Sequence, residues 1–318
     1  MRVQHDFIWS SLVHLGTNLW YEEGNYRGGG TKVWETAGSS KLRFDRDVWD
    51  NHLQELKAAG VNTIILDVAD GMVYDSHPEI AVEGAWTTDE MRAELDRLAE
   101  MGFEVIPKLN FSTCHDYWLG DYSRMISTPI YYQVCKDIIN EVCDIFKPRF
   151  LHLGLDEECY DNQKRYDYCI IRQFDAWWHD ILFLIDCVEK NGVRAMMWSD
   201  YARHRPEEFV QKMPKSVVQC VWYYFEQFGE NLEEMYEIRV RPLHILEEHG
   251  YDQLPTGSTE YFRDNLRKLA VYSKGVISKE HLLGFMQTSW RSTTTDCVED
   301  LTDTALTIKE TIEAFEKA

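Results

Sequence analysis

Apolar residues recur along the chain with two alternating periods. Trp49, Leu53 and Leu56 stand four and three positions apart, the spacing of one helix face. Gly60 follows where a helix end favours a left-handed residue, and 62–67 is an apolar run of the kind buried on both faces of a parallel sheet. Met91, Leu95 and Leu98 then form a second helical stripe, Gly102 stops it, and 103–107 reads as a strand. Val134, Ile138 and Val142 precede Pro148 and the strand 149–154. Phe174, Trp177, Ile181, Ile185 and Val188 precede Gly192 and the strand 193–198.

The same alternation predicts a short helix over 206–213 and a strand over 217–222. A longer acidic helical segment comes next, then a strand over 251–256, a helix over 261–272, a strand over 283–290 and a last helix carrying Leu301, Ala305, Ile308, Ile312 and Phe315. With an opening strand around 7–15, the pattern predicts eight strands and eight helices, an α/β chain closing as a single (β/α)8 TIM barrel. Gly28, Gly29 and Gly30 lie in a long first loop, too early for a domain linker and without the Lys of a phosphate loop, so 1–318 reads as one domain.

Composition narrows the partners. The 318 residues carry 33 Lys and Arg against 54 Asp and Glu, a net charge of −21. That balance argues against nucleic acid and anionic membranes, which need clustered cations. No run approaches the roughly 18 apolar residues of a membrane span, and the N-terminus lacks the apolar core of a signal peptide, so a cytoplasmic protein is expected. The eight cysteines form no C-x-x-C pair and read as small buried side chains. With no H-x-H, H-E-x-x-H or G-x-S-x-G pattern, neither a metal nor a nucleophilic serine is expected, and no cofactor is called for.

A barrel of this kind builds its site at the C-terminal ends of its strands. There stand Asp67 and Asp70, Asn110 and His115, Asp156, Glu157 and Glu158, Trp198 and Asp200, Trp222, Tyr223 and Tyr224, and Trp290. Asp156 and Glu157 are the catalytic candidates. Neighbouring carboxyls leaving one strand hold different positions around a substrate, and different surroundings split their acidities, as glycoside cleavage requires. Trp198, Trp222 and Trp290 each close an apolar strand and offer flat walls suited to sugar faces.

At these residues the chain resembles the catalytic barrel of glycoside hydrolase family 20, the β-N-acetylhexosaminidases. The family motif H-x-G-G-D-E is matched by His152-Leu-Gly-Leu-Asp-Glu157, and the V-I-P-E-x-D segment by Val105-Ile-Pro-Lys-Leu-Asn110, with His115 beyond. The resemblance also takes in Asp70 to Ile80 and Gly84 to Met91, and spans about residues 45–292. It implies Glu157 as general acid/base and Asp156 as the group orienting the substrate's own 2-acetamido nucleophile. Asp70, His115, Trp198, Asp200, Trp222, Tyr223 and Trp290 would contact an oligosaccharide or glycoconjugate.

The chain departs from the family pattern at several positions. Leu155 replaces the second glycine, Lys108 and Asn110 replace Glu and Asp, and Ser292 stands where W-x-E carries its glutamate. No Arg in strand one matches the family's sugar clamp, and Tyr223, Tyr224 and Tyr261 compete for the acetamide-binding tyrosine. These losses predict a modified or extended glycan, or an unfamiliar amino sugar, as substrate. Two alternatives stay open: a conventional retaining glycosidase with Glu157 as acid and Glu260 as nucleophile, and a non-catalytic glycan-binding barrel.

Overall fold

The computed structural model of the protein describes residues 3–20, 38–163, 166 and 168–318. The glycine-rich segment Gly28–Gly30 lies outside them. Eight parallel strands form one sheet: β1 (Ile8–His14), β2 (Thr63–Asp67), β3 (Glu104–Lys108), β4 (Phe150–His152), β5 (Arg194–Trp198), β6 (Val218–Cys220), β7 (Thr256–Ser258) and β8 (Gly284–Ser292). Their order is β6-β5-β4-β3-β2-β1-β8-β7. The ring closes between β6 and β7 through parallel bridges from Gln219 to Gln253 and from Trp222 to Thr256.

The helices are α1 (Arg46–Ala58), α2 (Thr88–Glu100), α3 (Pro129–Phe146), α4 (Tyr160–Gln163), α5 (Asp175–Glu189), α6 (Asp200–His204), α7 (Pro206–Lys212), α8 (Glu234–Glu248), α9 (Asn265–Val276) and α10 (Val298–Lys317). The major helices start where local chemistry directs. The Asp45 carboxylate caps α1, Thr87 and Glu90 form a capping box on α2, and Thr128 caps α3 ahead of Pro129. The apolar stripes predicted from the sequence face inward: Trp49, Leu53 and Leu56 on α1, and Met91, Leu95 and Leu98 on α2, are buried between helices and barrel.

The expected eight helices become ten among the described residues, because α4 and α6 are single-turn elements in the loops above β4 and β5. Two further boundaries differ. The strand predicted over 251–256 reduces to a bridge at Gln253, and continuous pairing starts only at Thr256. Pro255 has no N–H with which to extend a ladder. The helix predicted from 261 begins at Asn265. Its side chain accepts the Ser258 N–H and donates to the Tyr223 and Phe225 carbonyls, which fixes the preceding residues as a turn.

The lumen is filled. Leu12, Ile65, Ile106, Phe150, Met196, Val218 and Met286 pack inside the ring. One layer nearer the C-terminal mouth, His14, Asp67, Lys108 and His152 are register partners across β1 to β4, and all four are buried. The Lys108 ammonium donates to Asp67 Oδ2, with His14 Nδ1 3.4 Å from the same oxygen. Burial opposes ionisation of Asp67, but Lys108 and then His14 outweigh it and hold the carboxyl below its ordinary value. Burial, reinforced by Lys108, keeps His152 neutral. Among the described residues no helix is long and apolar enough to cross a membrane.

A lowered carboxyl pKa means that this pair stabilises the fold above the ordinary aspartate value and that the contribution fades as pH falls through the lowered one. Replacing Lys108 by Met strands an ionised Asp67 in the lumen. Denaturant unfolding at neutral pH should show a loss of about 3–5 kcal/mol, and the double variant Lys108→Met, Asp67→Leu should recover most of it.

Candidate active site

The backbone leaving β4 turns sharply. Gly154, Leu155 and Glu157 have φ of 72°, 72° and 54°, all left-handed. Asn110, just beyond β3, holds this turn. Its Oδ1 accepts the N–H groups of Leu155 and Ser112, and its Nδ2 donates to Asp156 Oδ1 at 2.9 Å. A Cβ on Gly154 would lie 2.0 Å from Asn110 Oδ1, so both the conformation and the contact demand glycine there. Leu155 takes the same left-handed conformation with a side chain, a strain of about 1–2 kcal/mol, and buries that side chain in the core.

The turn aims two acids at one histidine. His115 Nε2 lies 3.4 Å from Asp156 Oδ2 and 3.4 Å from Glu157 Oε2. Asp156 is sequestered, with a side chain 12% exposed, whereas that of Glu157 is 39% exposed and accepts from Asn162 Nδ2 at 3.2 Å. The Asp156 carbonyl accepts from the Ser112 hydroxyl, and the Glu157 carbonyl from Cys114 Sγ at 2.8 Å. Burial opposes a charge on His115, yet Asp156 and Glu157 together raise its pKa above the ordinary value.

Asp156, Glu157 and His115 line a cavity of about 620 Å³ at the barrel mouth. Trp198, Trp222 and Trp290 line it from the ends of β5, β6 and β8, and Trp20 adds a fourth indole from the loop after β1. The Trp198 and Trp290 rings lie 6.2 Å apart at 53°, and Trp20 meets Trp290 edge-on at 6.3 Å. Trp290 has a φ of 50° and donates its indole N–H to the Tyr224 hydroxyl at 3.1 Å. Glu260 and Tyr261, beyond β7, also reach the cavity.

Three expected contact residues do not line it. Asp70 is buried to one side, accepts from Asn18 Nδ2 at 2.5 Å, and is pushed up to about 7 by burial. Asp200 sits behind Trp222 and accepts its indole N–H at 2.8 Å. Tyr223 faces the helix layer and donates to the Gln227 carbonyl at 2.5 Å. Residues two apart in an extended chain share a face, so Tyr224 follows Trp222 into the cavity and Tyr223 turns away. That alternation was available in the sequence. Trp20, Asn162 and Arg239 also line the cavity, and no local pattern marks them.

Among the described residues, His115, Asp156 and Glu157 can each present one donor atom within 4.8 Å of the others, the geometry of a three-ligand metal site. The two acids favour the protonated imidazole when no cation is bound.

No protein-family model matches the chain. Among curated proteins it is similar to a lacto-N-biosidase of Bifidobacterium bifidum, 20% identical over 191 residues, which cover 52% of this chain and 17% of that protein. Among solved structures it shares the fold of a Flavobacterium johnsoniae chitobiase, with a TM-score of 0.63, 18% identity, and coverage of 86% of this chain and 48% of that one. A Vibrio harveyi exo-β-N-acetylglucosaminidase in complex with N-acetylglucosamine superposes with a TM-score of 0.60 at 14% identity, covering 98% and 57%. A mutant Streptomyces plicatus β-hexosaminidase in complex with its product gives a TM-score of 0.61 at 11% identity, covering 97% and 68%. The chain thus spans about a sixth of the curated relative and about half of the chitobiase.

Two outcomes follow from this geometry. Gly154→Ala should cost about 2–4 kcal/mol in denaturant unfolding, combining left-handed strain with the clash on Asn110. Burial raises Asp200 to about 6, with Asp156 and Glu157 adding to it against Arg203. Its proton sits beside the Trp222 indole, so tryptophan fluorescence should titrate with a midpoint near pH 6, and Asp200→Asn should abolish that transition.

Proposed function

We propose that this barrel is a retaining glycoside hydrolase acting on 2-acetamido sugars, with the substrate's own acetamide as nucleophile. The observation that carries the reading is the convergence of Asp156, Glu157 and His115 in one indole-lined cavity. The resemblance at the residues leaving β4 and the shared hexosaminidase fold support it.

In this reading the sugar ring stacks on the indoles, with Trp222 held by Asp200. The acetamide oxygen attacks the anomeric carbon, while Glu157 gives its proton to the departing oxygen. An intramolecular nucleophile acts at high effective concentration, and the bound ring removes its remaining rotational freedom. Asp156, fixed by Asn110, faces the positive charge that develops as the oxazolinium ring closes. Glu157, the more exposed acid, then takes a proton from the water that opens this ring, so the configuration is retained. His115 steadies both carboxylates and moves the local proton balance through the pair.

The losses at the outer-hydroxyl positions support an extended or modified glycan as substrate. Tyr224 and Tyr261 both line the cavity and Tyr223 does not, so those two are the candidates for the acetamide.

Glu157→Gln tests the assignment. General-acid loss should lower kcat/KM by about 10²–10⁴ on glycosides with poor leaving groups and far less on activated aryl glycosides. Equal losses on both would remove Glu157 from the acid role. Glu260 reaches the same cavity, so a fluorosugar that labels Glu260 would replace the acetamide route with a conventional nucleophile, whereas tight inhibition by a thiazoline favours substrate assistance. Absence of turnover in wild type and variant, with unaltered glycan affinity, would leave a binding protein.

A further inference from the structure

A second cavity of about 600 Å³ adjoins the first, and Glu157, Asn162, Trp222 and Arg239 line both. Its far wall comes from α6, the residue between α6 and α7, and α8, and carries Arg203, His204, Arg205 and Arg239. Such a concentration of cations stands out in a chain of net charge −21.

Acids also stand here, Glu157, Glu158 and Asp200 in the lining and Glu208 3.9 Å from Arg205, but none accepts a hydrogen bond from Arg203 or Arg239. Glu158 is taken by Arg172 at 2.6 Å, and Arg172 also pairs with Asp180 at 3.1 Å. Arg203 is different. Its side chain is only 9% exposed and its Nε has no hydrogen-bond partner; Asp200, whose Oδ2 accepts from Trp222, holds Oδ1 3.9 Å from an Arg203 terminal nitrogen, an ion pair too long for a hydrogen bond. The guanidinium carbon lies over the Trp222 ring, 4.3 Å from its centroid, a contact that satisfies none of its donors. Arg239 gives one N–H to the Met235 carbonyl of its own helix and has no carboxylate partner among the described residues. Like charges press on one another here. Burial and then Arg203 hold Arg239 below its ordinary value, and burial, Arg203 and Arg239 do the same to His204. Cations left with open donors can still take a hydrogen-bonding anion.

We propose that this second cavity binds an oxyanion on the leaving-group side of the substrate, a sugar carboxylate or a sulfate ester, through Arg203 and Arg239. The placement rests on the glycosidase reading above. Glu157 must reach the bridging oxygen, so the bond to be cut lies between the two cavities: the cleaved sugar sits among the indoles and the released portion extends toward the arginines. A planar guanidinium with free N–H groups matches either anion.

Three 2-acetamido disaccharides test this: one ending in a uronate, one in a sulfated sugar and one neutral. Affinity is measured by calorimetry on Glu157→Gln, and kcat/KM on the active protein. At least one acidic disaccharide should exceed the neutral one by about tenfold in both readouts, equivalent to about 1.4 kcal/mol. The arm that does so identifies the anion. Arg203→Gln, and independently the half-buried Arg239→Gln, should erase the preference, as should high salt. Equal binding of all three disaccharides, or a preference that survives both substitutions, overturns the inference even if hydrolysis proceeds. An Arg-dependent preference without turnover by wild type upholds the anion site and removes the catalytic reading.

Discussion

Asn110 holds together what the rest of the site depends on. A strand that ended in ordinary extended backbone would send Asp156 and Glu157 to opposite sides. Here the chain bends through three left-handed residues, and the amide of Asn110 fastens the bend from the neighbouring strand. An aspartate in its place would offer no N–H to Asp156 and would set a second negative charge against it. Asn110 therefore both shapes the turn and spares Asp156 a like-charged neighbour. The glycine at 154 follows from the same contact, because only a residue without Cβ leaves room for the amide.

Charge is layered along the barrel axis. The lumen holds the buried Lys108–Asp67 pair with two histidines, and above it Asp156 and Glu157 share His115. Outward lie the arginines of α6 and α8, on a chain that is otherwise strongly acidic. Each buried carboxylate of the first two layers faces a cation or an amide donor, which keeps the desolvation of so many ionisable groups tolerable. In the arginine layer the pairing is looser, with Arg203 and Arg205 each 3.9 Å from a carboxylate.

Much of the architecture was legible in the sequence because helix and strand periods differ and glycines mark the changes. The strand ends bearing Asp156, Glu157, Trp198, Trp222 and Trp290 were legible for the same reason. What escaped is set by contacts between distant segments. Trp20 reaches the cavity from a loop with no periodicity, and Asn162 and Arg239 come from helices whose orientation only the closed ring determines. Asp70 looked like a strand-end acid, but Asn18 draws it aside. The error at Tyr223 was avoidable, since strand alternation already favoured Tyr224. Leu155 shows the opposite: it breaks the glycine pattern of the motif while its backbone keeps the glycine-like conformation.

The filled lumen also constrains traffic. Among the described residues, packed side chains from Ile8 and Leu12 up to Lys108 leave no conduit along the barrel axis. Whatever reaches the floor beside His115 leaves on the same side of the ring, by way of the first cavity or the second that adjoins it.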